Sequence, residues 1–106
     1  VAWDMRGILR SRAERDPEFR TALLGEAMEA FTAGEPDTGK ALIRDYINAT
    51  VGFERLAEAV SIDPKNLMRM FGPHGNPRLV NLSAVLRELN RREAVHFRVE
   101  PERLAS

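Results

Sequence analysis

The chain contains no cysteine. Disulfide frameworks and thiolate metal sites are therefore excluded. Histidine is nearly as scarce: His74 falls in a loop-like stretch and His96 in an alternating tail, and neither has a carboxylate or serine beside it at a catalytic spacing. No cluster of His, Asp and Glu has the spacing of metal ligands, so neither a metal nor another cofactor is expected. Gly72 and Gly75 flank prolines and lack the strand-to-helix context of a phosphate-cradling loop. Glu26 with Glu29, and Glu54 with Glu58, share helix faces, where carboxylates are ordinarily solvated. Nothing here assembles an enzyme.

Long apolar runs are missing as well. None approaches the roughly 18 residues a membrane-spanning helix needs, and no signal-peptide pattern opens the sequence. These two absences point to a cytoplasmic protein without membrane contact. An excess of charge of either sign is also lacking, with 16 Lys and Arg against 16 Asp and Glu. Phosphate neutralisation needs cations, so the whole-chain charge offers no argument for nucleic acid. The halves differ slightly: residues 1–51 carry 7 basic and 9 acidic side chains, residues 52–106 carry 9 and 7. Any anion-binding surface must come from local placement.

What the chain does have is helix punctuation. Met5, Ile8, Leu9 and Arg12 recur at helical spacing through residues 3–15. Asp16-Pro17 reads as an N-cap followed by proline at the first helical position. Phe19, Leu23, Ala27 and Phe31 then form an apolar stripe, which Gly34 and Pro36 terminate. Asp37 is expected to cap the next helix, which runs to about Thr50 and buries Leu42, Ile43, Tyr46 and Ile47. After Gly52 comes a short helix with Phe53, Leu56, Ala57 and Val60 inward. Ser61 and Ile62 make a tight turn, and Asp63-Pro64 repeats the cap-plus-proline signature. The helix it opens turns Leu67, Met70 and Phe71 inward. Gly72, Pro73, Gly75 and Pro77 mark a loop. A last helix follows, defined by Leu79, Leu82, Val85, Leu86 and Leu89. Finally Val95, Phe97 and Val99 alternate with His96, Arg98 and Glu100, a strand pattern halted by Pro101.

The expectation is an all-α bundle of five or six helices. Residues 1–36 supply N-terminal helices packed on the core, and residues 37–106 a helix-turn-helix unit ending in a short β-strand. An isolated strand is unstable in water, so residues 95–99 need a partner. Antiparallel pairing with the same segment of a second copy closes on itself and gives a homodimer. The alternatives are that the tail extends the last helix or is disordered, in which case an edge strand of a partner protein could pair with it instead.

The stretch from Phe53 to Phe71 bears on function. Two short helices joined by a tight turn have the spacing of a helix-turn-helix. Burying Leu67 and Phe71 leaves Lys65, Asn66 and Arg69 together on the opposite face. Arginine can bond guanine bidentately, asparagine adenine, and lysine guanine or phosphate. These three are the candidates for base contact in double-stranded DNA. Arg55, His74, Gly75, Asn76 and Arg78 are candidates for the phosphate backbone. Ser61 stands where such turns often carry glycine, at a conformational cost on the order of 1 kcal/mol. A protein-interaction adaptor is the competing reading: the N-terminal helices from Trp3 to Gly34 would bind a partner, with the helix-turn-helix only as scaffold, and exposed Trp3 and Phe31 would favour it.

The runs Asp45-Tyr46-Ile47-Asn48-Ala49-Thr50-Val51-Gly52-Phe53-Glu54-Arg55-Leu56-Ala57 and Pro64-Lys65-Asn66-Leu67-Met68-Arg69-Met70-Phe71-Gly72-Pro73-His74-Gly75-Asn76-Pro77 resemble the addiction-module antidote proteins. These are relatives of the HigA-type antitoxins in the Xre helix-turn-helix group. The likeness extends over roughly residues 38–100, and its Gly-Asn-Pro after the second motif helix is characteristic. The resemblance implies a lambda-repressor-like DNA-binding fold and repression of the protein's own operon. It further implies neutralisation of a toxin of the RelE type, an mRNA-cleaving ribonuclease.

Overall fold

Asp16 and Pro17 separate the first two helices with a single non-helical residue. In the computed structural model, which describes residues 5–105, helix α1 (Met5–Arg15) ends there and α2 (Pro17–Thr32) begins. The Asp16 carboxylate accepts hydrogen bonds from the amides of Glu18 and Phe19, two donors the first helical turn cannot satisfy internally. Arg12 on α1 lies 4.5 Å from the centre of the Phe19 ring and fastens the two helices across that residue. Gly34, at φ 79°, closes α2. Trp3 lies outside the described residues.

Helix α3 (Pro36–Ala49) starts one residue before the expected Asp37 cap. Pro36 takes the first helical position, which suits its fixed φ, and no side chain caps the helix. Asp37 instead faces Lys40 at 3.3 Å. Gly39 lets α2 approach closely, since a Cβ there would stand 2.4 Å from the Phe31 ring. Phe31 therefore packs half-buried against α3 and is not an exposed anchor.

Two short helices follow, α4 (Phe53–Val60) and α5 (Pro64–Met70), then α6 (Leu79–Glu93). One core joins them all beyond α1. Leu24, Ala27, Ile43, Ile47, Leu56, Leu67, Phe71, Val85 and Leu89 are buried together, with Phe71 the largest of the fully buried side chains. Helix α1 lies against α3 and α2. The all-α expectation is met, and among the described residues no helix is long and apolar enough to cross a membrane.

Two details differ from expectation. Leu79 does not join the apolar face of α6 but is 77% exposed. It is the helix's first residue and sits at the edge of the stripe formed by Leu82, Val85, Leu86 and Leu89. The C-terminal strand is also not formed: residues 95–105 contain neither helix nor strand. The expected alternation persists, with Val95 and Phe97 half-buried between exposed His96 and Arg98. Their cover is the chain itself, the Phe97 ring lying 3.6 Å from where a Cβ on Gly25 of α2 would be. Val99 is left exposed.

Candidate nucleic-acid interface

Helices α4 and α5 pack on each other across residues 61–63. The turn is tight because Ser61 adopts the left-handed conformation, at φ 56° and ψ 44°. That rotation lets the Ile62 amide reach back to the carbonyl of Ala57 at 3.1 Å. Ala57 is buried with only a methyl side chain at this crossing, and Ile62 packs against the core beside it. Asp63 then starts α5, its carboxylate accepting from the amides of Lys65 and Asn66 at 3.1 and 3.3 Å.

Leu67 anchors α5 in the core, so helical phase decides what remains outside. Lys65, Asn66 and Arg69 are all exposed. Arg69 donates to the side-chain oxygen of Asn66 at 3.3 Å, which aligns the two groups in the free protein. Met68 shares this surface at 48% exposure, although the sequence did not single it out. Its phase, three residues after Lys65, was the available signal. The resulting patch offers a guanidinium, an ammonium, a carboxamide and one apolar side chain, a set able to address base edges and a thymine methyl.

The backbone candidates are arranged less uniformly. His74, Asn76 and Arg78 are exposed along the loop between α5 and α6. Gly75 is half-buried, and its amide already donates to the carbonyl of Gly72 at 3.0 Å. Its lack of a side chain is a packing requirement, since a Cβ would come within 2.1 Å of the Arg69 carbonyl oxygen. Arg55 is exposed on α4 and borders a cleft of about 380 Å³ that Arg20, Tyr46, Arg92 and Glu93 also line.

That cleft holds the main polar cluster. Arg20 on α2 donates its Nε to both carboxylate oxygens of Glu93, at 2.9 and 3.1 Å, and one Nη to the Ala13 carbonyl at 2.7 Å. The Tyr46 hydroxyl donates to the same carboxylate. Burial by itself would raise the pKa of Glu93, but the hydrogen bonds from Arg20 and Tyr46 outweigh it and hold the carboxyl below its ordinary range. Burial, reinforced by the adjacent carboxylate, pushes the Tyr46 phenol well above its usual value. Every member has its partner inside the protein, so the arrangement ties α1, α2, α3 and α6 together. Among the described residues, no three His, Asp or Glu side chains converge as metal ligands.

Comparison with family models, curated proteins and solved structures finds no match.

Proposed function

We propose that the protein is a sequence-specific DNA-binding repressor in which α4 and α5 form a helix-turn-helix and α5 reads the major groove. The observation that carries this reading is the single exposed face of Lys65, Asn66 and Arg69 on a short helix anchored from behind by Leu67. Short paired helices of this kind enter the groove with the N-terminal part of the second helix, where Lys65 and Asn66 stand. Arg55 on α4 and His74, Asn76 and Arg78 beyond α5 supply polar groups for flanking phosphates. Phe31, whose exposure would favour an adaptor, is half-buried.

A homodimer belongs to the proposal, because a second copy provides the second reading helix of a palindromic site. Residues 96–99 supply backbone groups for antiparallel pairing of the two tails: among the described residues, no backbone-to-backbone hydrogen bond is made beyond Val95, whose amide donates to the Asn90 carbonyl. The role of antidote to a RelE-type toxin is proposed on the sequence resemblance alone.

The test is nuclear magnetic resonance of the isotope-labelled protein titrated with a random-sequence DNA duplex at low salt. Shifts concentrated on residues 65–69 and 74–78 are expected. Shifts confined to α1 and α2, or none, would overturn the reading.

A further inference from the structure

Lys40 is the one charged residue buried as a whole among those described, at 6% exposure, and it lies on α3, outside the proposed reading unit. Its ammonium donates to the Gly75 carbonyl at 2.5 Å and to the Gly72 carbonyl at 3.3 Å. Its ion-pair partner Asp37 is 86% exposed, so the loop carbonyls are the lysine's sheltered contacts. One turn further along α3, Arg44 donates to the Phe71 carbonyl at 3.0 Å. Two cations of one helix thus take up three carbonyls in the segment that leaves α5.

We infer that Lys40, assisted by Arg44, is a positioning residue for DNA recognition, clamping the end of α5 and the loop after it so that Arg69, His74 and Asn76 are held in register. The inference rests on the DNA-binding reading. Its physical basis is that loop carbonyls outside regular structure need donors, that Lys40 supplies them as charge-assisted hydrogen bonds to Gly72 and Gly75, and that Arg44 does the same for Phe71 at the C-cap of α5. Gly75 completes the joint from the other side, because only a residue without Cβ fits beneath the carbonyls of Arg69 and Met70. Lys40 is buried and has its donors occupied, so it acts through the loop and not on phosphate.

The experiment compares the full-length wild type with Lys40→Met, a variant of similar length without donors. Amide hydrogen exchange is measured at residues 72–76, and affinity is measured at two salt concentrations for the duplex that the wild type selects from a random pool. Exchange in the loop should rise at least tenfold while the amides of Ile43 and Leu56 keep their protection. Affinity should fall about tenfold with the salt slope unchanged, since no phosphate contact is lost. Unchanged loop exchange overturns the clamp. A loosened loop with unchanged affinity overturns the positioning role, and a salt slope reduced by about one assigns Lys40 to phosphate contact instead. Should Lys40→Met fail to fold, Gly75→Ala perturbs the same joint and must give the same pair of effects. If the wild type selects no duplex, the DNA reading has failed, while the exchange measurement still decides whether Lys40 holds the loop.

Discussion

Replacing Glu93 by glutamine should destabilise the protein by about 2 kcal/mol. The variant keeps the shape of the side chain but removes the charge that Arg20 and Tyr46 both address. Hydrogen bonds to charged groups contribute about 1.5–3 kcal/mol, and breaking a buried ion pair costs about 3–5 kcal/mol. The Glu93 side chain is only 7% exposed, but Arg20 keeps 23%, which places the loss toward the lower range. For a domain of this length, about 2 kcal/mol lowers the melting temperature by roughly 10 °C. Tyr46→Phe should cost about 1 kcal/mol, and the double variant less than the sum, because both act on one carboxylate. The pH dependence has a definite sign. Glu93's folded pKa is held below its ordinary value, so its contribution is present above about pH 4.5 and fades as the pH falls below it. The stability gap between wild type and Glu93→Gln, followed by thermal unfolding, should therefore narrow in acid. A variant within about 0.5 kcal/mol of wild type at neutral pH would refute the reasoning.

Glu88 makes a second acid-sensitive contribution: hydrogen bonds from Arg91, opposed by partial burial and reinforced by Arg92, lower its pKa from 4.5 to about 2. Circular dichroism at fixed temperature should show Glu88→Gln converging on wild type as the pH is lowered from 4.5 toward 2, and parallel curves would contradict this. Ser61 and Ala94 both hold φ 56° without being glycine. Ser61→Gly and Ala94→Gly should each raise stability by about 0.5–1 kcal/mol in chemical denaturation, and a loss would mean that the side chain there matters more than the strain. Phe97→Ala removes the ring that lies over Gly25 and should cost about 1–2 kcal/mol, with faster hydrogen exchange of the Val95 amide, which donates to the Asn90 carbonyl; an unchanged midpoint would show that the tail adds nothing to the fold.

The caps at Asp16 and Asp63 were legible in sequence because their bonds run only two or three residues along the chain. The helices were legible because burial follows a 3.6-residue period. The face of Lys65, Asn66 and Arg69 followed from Leu67 and Phe71 by the same phase. Contacts that span the chain had no such signal. Lys40 meets carbonyls 32 and 35 residues away, and Arg20 meets Glu93 across 73. Glu93 did leave a trace, since a carboxylate at a helix C-terminus opposes the dipole and calls for a cationic partner. The tail shows the limit of alternation. A segment laid over a helix through Val95 and Phe97 has the same period as a strand, and only its hydrogen-bonding partners distinguish the two.

The central claim is that α5 reads DNA, and selection from a random pool of duplexes tests it most directly. Wild type and the triple variant Lys65→Ala, Asn66→Ala, Arg69→Ala would be run side by side. The account predicts that wild type recovers a palindromic site, with half-sites about 10 base pairs apart or a multiple of that, and that the variant recovers none. Recovery of no consensus by either protein, or of the same site by both, would contradict it.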